Sequence, residues 1–179
     1  MNTKNSVFIA TSLDGYIADK NGGIDWLHSI PNPENDDMGY IEFTNRIDAI
    51  VMGRTTFETV LGFDCDWPYN KPVFVLSNTL KEIAESHQGK VFLIKGTLTE
   101  ILSQIHEQGY YKLYIDGGTT IRNFLKEDLI DEMILTTIPI VLDGGSPLFT
   151  ELPNQLQFEL TQTKTFLHQI AQNHYNRKR

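Results

Sequence analysis

The stretch Ile50-Val51-Met52-Gly53-Arg54-Thr55-Thr56-Phe57-Glu58 decides the fold. Its apolar opening reads as a strand, and glycine ends that strand. A cation and two hydroxyls follow, and then a helix-like segment begins. That order gathers backbone N–H groups, a guanidinium and hydroxyls at a helix N-terminus, which suits an anionic phosphate. A second junction of the same kind lies at Leu113-Tyr114-Ile115-Asp116-Gly117-Gly118-Thr119-Thr120-Ile121. Two such junctions in one small chain imply a nucleotide held by two turns of a single sheet.

On either side of the first junction, strand and helix signals alternate. Residues 6–11 read as a strand, and Ser12 to Ala18 as an irregular exit with a turn at Gly15. Asn21-Gly22-Gly23 is a loop. Residues 35–46 carry Met38, Ile41 and Phe43 at helical spacing, predicting a helix there. Residues 48–52 predict a strand and 55–61 a helix. Residues 71–76 and 91–94 predict two more strands, with Pro72 tolerated at a strand start. Leu98, Ile101, Leu102 and Ile105 form a helical stripe. Residues 112–115 then read as strand and 119–125 as helix. The rhythm changes after that. Residues 132–139 are strand-like, and the alternating runs 157–161 and 165–170 predict an antiparallel hairpin. The expectation is an α/β fold: a mostly parallel central sheet, an antiparallel C-terminal edge and flanking helices, in a single domain over residues 1–179.

Bulk properties narrow the function. The chain has 179 residues, 40% hydrophobic and 21% charged, which suits one globular domain. A net charge of -8 argues against nucleic-acid or membrane-surface partners, which call for a basic patch. Arg177-Lys178-Arg179 reads as a frayed tail. Cys65 is the sole cysteine, so no intrachain disulfide forms, and a cytoplasmic setting fits. Asp64 and Asp66 flank it and disfavour a thiolate, so it is not read as a nucleophile. The five histidines show no metal-ligand spacing, and no metal is expected. No apolar run reaches membrane-spanning length. Neither the Gly-x-Gly-x-x-Gly fingerprint nor the P-loop pattern occurs.

Met52-Gly53-Arg54-Thr55-Thr56-Phe57-Glu58 resembles the Met-Gly-Arg-x-Thr-Phe-Glu signature of dihydrofolate reductases. Leu76-Ser77-Asn78 resembles a later strand end of that family, and Asp116-Gly117-Gly118-Thr119-Thr120-Ile121 its Gly-Gly segment before a helix. The opening Ala10-Thr11-Ser12-Leu13-Asp14-Gly15-Tyr16-Ile17-Ala18 resembles instead the riboflavin-biosynthesis reductase domain, a branch of the same superfamily. So does Gly144-Gly145-Ser146-Pro147-Leu148-Phe149. The motifs come in matched order along nearly the whole chain. The resemblance implies the three-layer dihydrofolate reductase-like fold in a bacterial, cytoplasmic enzyme. No His-x-Glu or Cys-x-x-Cys is present, so the deaminase that accompanies this reductase in bifunctional relatives is not expected here.

The resemblance also implies NADPH as cofactor. Arg54 would pair the 2′-phosphate, with Gly53, Thr55 and Thr56 beside it. Ser77 and Asn78 would touch the same adenosine end. Gly117, Gly118, Thr119, Thr120 and Ile121 would cradle the pyrophosphate. The Ala10 backbone would meet the nicotinamide amide, and Trp26 would touch the cofactor. Asp116, just before the Gly-Gly turn, would orient a hydroxyl or assist a proton transfer, or else cap the next helix. Asp14 borders the site or merely forms an Asp-Gly turn. Residues 32–37 carry three acids and no Lys or Arg, a poor seat for a phosphorylated substrate, and Lys20 and Arg46 are the nearby cations that could help. The expected activity is hydride transfer to a small heterocyclic or sugar-linked substrate, as in 5-amino-6-(5-phosphoribosylamino)uracil reduction, by a homodimer. The rivals are dihydrofolate reduction and a non-catalytic NADP(H)-binding module.

Overall fold

The structure, a computed structural model, describes residues 2–179. Ten strands and four helices follow in the order β1 (Lys4–Thr11), β2 (Tyr16–Ala18), α1 (Tyr40–Asn45), β3 (Ala49–Gly53), α2 (Arg54–Leu61), β4 (Val73–Leu76), β5 (Val91–Ile94), α3 (Leu98–Glu107), β6 (Lys112–Asp116), α4 (Gly118–Lys126), β7 (Glu132–Thr137), β8 (Ser146–Pro147), β9 (Phe158–Phe166) and β10 (Ile170–Arg177). Eight strands form one sheet in the order β5-β4-β3-β6-β1-β7-β10-β9. The first six run parallel, and β10 and β9 join antiparallel. The short β2 and β8 pair separately.

Parallel strands are covered on both faces, so β3 and the middle of β6 are apolar on both sides. In β3, Ala49 and Val51 face α3 and α4, while Ile50 and Met52 face α1 and α2. In β6, Leu113 and Ile115 point to the first side and Tyr114 to the second. Ile101, Ile105, Ile121 and Phe124 fill the first layer; Phe43 and Phe57 fill the second. A smaller third cluster gathers Trp26, Ile138 and Ile170 near the end of β1. Helix α3 starts with a capping box: Thr97 Oγ1 accepts the Glu100 N–H while a Glu100 carboxylate oxygen accepts the Thr97 N–H.

Three local expectations are corrected. The helix expected over 35–46 forms only at Tyr40–Asn45. Asn35 and Met38 have positive φ, and the Asn32, Asp36 and Asp37 side chains bind nearby backbone groups instead, which competes with a helix. The C-terminal hairpin turns at Leu167-His168, not near residue 163. Both turn residues have positive φ, and Gln169 N–H donates to Phe166 O at 3.1 Å, the geometry of a type I′ turn. Neither residue advertises that turn; the long paired strands impose it. The tail is not frayed. Arg177 belongs to β10 and grips Asp128 with Nε at 2.6 Å and Nη2 at 2.9 Å, and Arg179 Nη1 reaches Asp131 at 2.6 Å.

Candidate active site

The C-terminal ends of β3 and β6 lie side by side, with Met52 paired to Asp116. Each strand runs into a glycine and then a helix, so the N-termini of α2 and α4 converge. Their closeness explains the glycines. A Cβ on Gly117 would lie 2.1 Å from Thr56 Oγ1, and one on Gly53 3.1 Å from Thr120 Oγ1. Gly117 also sits at φ +86° and ψ 135°, a region nearly reserved for glycine. No side chain caps either helix. Their first-turn N–H groups therefore point into a shared recess with the positive ends of both dipoles.

That recess encloses about 580 Å³. Gly53, Arg54, Thr55, Thr56, Gly117, Gly118, Thr119, Thr120 and Asp116 all line it, as the sequence led us to expect. Apolar walls come from Ile9, Ile17, Ile24, Val60 and Phe63. A second recess of about 370 Å³ adjoins it, sharing Leu76 and Asn123. Ser77 and Asn78 line this neighbour, with Lys95, Thr97 and Lys126. The two recesses make one trough across the ends of β3, β4, β5 and β6.

Not every expected residue borders the trough. Ile121 is fully buried in the main core, and its N–H donates to Gly117 O at 2.9 Å, so it has none to offer a ligand. Trp26 and Ala10 pack in the third cluster instead, although Trp26 Nε1 is buried without a partner there. Ser77 does border the smaller recess, but its Oγ accepts the Leu80 N–H at 2.9 Å and so closes a turn. Asp14 is a loop clamp: it accepts Ser12 Oγ at 2.6 Å and the N–H groups of Leu142 and Asp143. The Ser12 hydroxyl, opposed by partial desolvation and joined by those two N–H groups, holds its carboxyl below the ordinary value. Lys20 pairs with Asp143 at 3.1 Å and Arg46 with Glu132 at 2.8 Å, and neither lines the trough.

Arg54 stands half-exposed at the start of α2. Its Nε donates to Glu58 Oε1 at 2.6 Å and its Nη1 to Thr79 Oγ1 at 2.9 Å. The planar fork is thus held in place at the trough's edge.

Asp116 is half-buried, open to the recess and crowded by protein elsewhere. One carboxylate oxygen accepts the Gly117 N–H at 2.8 Å. Desolvation pushes its pKa up from 3.8 to about 6, against the pull of that N–H and of the Tyr114 hydroxyl. That hydroxyl has a competing acceptor in Phe8 O, 2.9 Å away. Three tyrosines stand around this carboxyl. Burial, then the charge of Asp116, pushes Tyr40 up to about 12 and raises Tyr69 and Tyr114 as well. Tyr69 lines the recess beside Asp116, its ring held edge-on against Trp67 at 5.3 Å. Trp67 is held in turn by Phe57 and His87.

Sequence reasoning missed Tyr69, Lys95, Asn123 and Lys126. A signal for Lys95 was present: Ile94-Lys95-Gly96-Thr97 brings a cation, a glycine and a hydroxyl to a strand end, as the first junction does in a different order. Tyr69 lies in an irregular stretch with no periodicity to read.

The RibD C-terminal domain family matches residues 5–171. A Shewanella sp. PV-4 protein, provisionally described as a riboflavin biosynthesis protein, superposes with a TM-score of 0.95 and is 57% identical, over 98% of this chain and 99% of its own. A diaminohydroxyphosphoribosylaminopyrimidine deaminase/5-amino-6-(5-phosphoribosylamino)uracil reductase from Thermotoga maritima gives a TM-score of 0.77 at 14% identity, over 99% of this chain and 57% of that one. A dihydrofolate reductase from Enterococcus faecalis, complexed with NADP(H), gives 0.68 at 20% identity, over 98% and 97%. The last two show the fold, which is that of the dihydrofolate reductases.

Proposed function

The chain belongs to the RibD C-terminal domain family, and on that premise we propose that it is an NADPH-dependent reductase acting on a C=N or C=O carbon of a small heterocyclic or sugar-linked substrate. The observation that carries this reading is the convergence of two glycine-led helix N-termini beside a raised carboxylate. The residues present fit a dinucleotide. The close approach of Gly117 to Thr56 brings the two helix N-termini together, and the free N–H groups of Gly118, Thr119 and Thr120 suit a pyrophosphate. Arg54 suits a 2′-phosphate, with Lys95 and Lys126 in the neighbouring recess. The NADP(H)-bound fold relative adds weight.

Bound NADPH would supply the hydride. The chain's own part is to bind, orient, exclude water and handle one proton. Asp116 suits the last task. Near pH 6 half of its carboxyl is protonated, so it can give a proton to the heteroatom that the reduction leaves negative. Ile9, Ile17, Val60 and Phe63 keep water from the reacting carbon. Among the described residues no helix is long and apolar enough to cross a membrane. The reading includes a cytoplasmic homodimer, for which β9 offers an edge with no strand partner on its outer side.

The test is NADPH oxidation by the purified protein, with the phosphoribosylaminouracil compound, its dephosphorylated form and dihydrofolate offered in turn. Oxidation coupled to reduction of a uracil compound supports the proposal. Turnover of dihydrofolate alone would favour the dihydrofolate reductase reading. Tight NADPH binding without turnover of any substrate, unchanged by Asp116→Asn, would favour a binding module.

A further inference from the structure

The trough divides its charges unevenly. Lys95 and Lys126 line the smaller recess, while Asp116 lines the larger one. Among the described residues, Arg54 is the one Lys, Arg or His lining the larger recess. Its fork is held by Glu58 and Thr79, and it is the cation given above to the cofactor's 2′-phosphate. The other cations that the sequence offers are paired, Arg122 among them against Gly118 and Thr119 at the pyrophosphate end of the recess. Lys20 lies along the loop at Gly144 and pairs with Asp143. Arg122 donates to Pro147 O and to Thr119 Oγ1. Arg46 and Lys4 both serve Glu132.

A phosphate monoester brings about 1.5 to 2 negative charges near neutral pH. Such a group is buried only where cations and donors meet it. The donors of the larger recess belong to the two helix N-termini, which the pyrophosphate would take; away from them a phosphate would meet the Asp116 carboxylate. The remaining wall is aromatic and aliphatic: Tyr69, Phe63, Ile9, Ile17 and Ile24. A flat ring suits those walls, with Asp116 and the Tyr69 hydroxyl at its edge.

We propose that this chain reduces a phosphate-free nitrogen heterocycle, and that its substrate site is built against the phosphoribosyl group named for the Thermotoga maritima relative. The inference rests on the reductase reading above and narrows its substrate. The cations of the trough serve the cofactor, and the substrate end is left neutral or acidic.

The test uses the whole chain saturated with NADP⁺, which occupies the cofactor's own phosphate sites. Calorimetry then compares 5-amino-6-(5-phosphoribosylamino)uracil with the same compound after phosphatase treatment. The expected result is that the dephosphorylated compound binds at least as tightly. Rejection of both compounds would overturn the inference, because the ring itself then does not fit these walls. Tighter binding of the phosphorylated compound by about tenfold or more, the effect of one charge-assisted contact, would overturn it. A second variant, Phe63→Arg, adds a cation at the exposed rim of the recess. It is expected to raise affinity for the phosphorylated compound by about tenfold. No gain there would overturn the charge argument. A chain that takes up no NADP⁺ or NADPH at all would sink the reductase reading itself, and this inference with it.

Discussion

Asp116→Asn separates the energetic strain at this site from the site's chemistry. The recess lifts the carboxyl from 3.8 to about 6 by desolvation. The folded chain therefore holds this proton more tightly than the unfolded chain does. Below pH 3.8 the group is protonated in both states and leaves stability untouched. As pH rises from there, the unfolded chain loses the proton first, and stability falls until pH passes about 6. Above that the carboxylate's cost is constant, about 3 kcal/mol at about 1.4 kcal/mol for each tenfold change in proton affinity. The amide keeps an acceptor for the Gly117 N–H, though a weaker one than a carboxylate. A net gain of about 2 kcal/mol at pH 8 is expected, or about 4 to 8 °C in Tm for a chain of this size. At pH 4 the gain should nearly vanish. Thermal unfolding of both proteins at the two pH values reads this directly. A variant no more stable than the wild type at pH 8, or equally stabilised at both values, would refute the reasoning.

The same carboxyl predicts that kcat/KM falls as pH rises through about 6, since the protonated form supplies the proton, and that Asp116→Asn flattens this profile. Gly117→Ala places a methyl group against Thr56 in a φ region that suits glycine; chemical denaturation should show a loss of about 1 to 3 kcal/mol, with weaker NADPH binding. Glu132 is buried under Arg46 and Lys4. Burial pushes its carboxyl up, but the Arg46 guanidinium, helped by Ser6 and Lys4, holds it below the ordinary value. Its contribution is therefore present above pH 4.5 and lost as pH falls through the lowered value. Arg46→Ala should cost about 1 to 3 kcal/mol at pH 7 and much less near pH 3, measured by urea unfolding at each pH.

The parallel core was legible because its strands carry a strong local signal. Ile50-Val51-Met52 and Leu113-Tyr114-Ile115 are apolar on both faces, and the glycines that follow mark the strand ends. The two junctions were legible for the same reason, and with them the polar residues that they bring to the larger recess. What the sequence hid was set by tertiary contacts. The Leu167-His168 turn is imposed by the pairing of β9 with β10, not by its own residues. Arg177 looks like a tail cation until Asp128, forty-nine positions earlier, is brought beside it. Tyr69 becomes a wall of the site because a stack of Phe57, Trp67 and His87, from three separate segments, holds its loop in place. The burial of Ile121 follows from the stripe of α4, whose apolar side must face the sheet while Thr119 faces out.

The central claim is that a phosphorylated dinucleotide lies along the trough with its 2′-phosphate on Arg54. A binding titration of NADPH and of NADH, on the wild type and on Arg54→Ala, tests it most directly. The account predicts that the wild type prefers NADPH by about tenfold or more, and that Arg54→Ala removes this preference while leaving NADH binding almost unchanged. Wild-type protein that binds neither nucleotide, or that prefers NADPH equally well without Arg54, would contradict it.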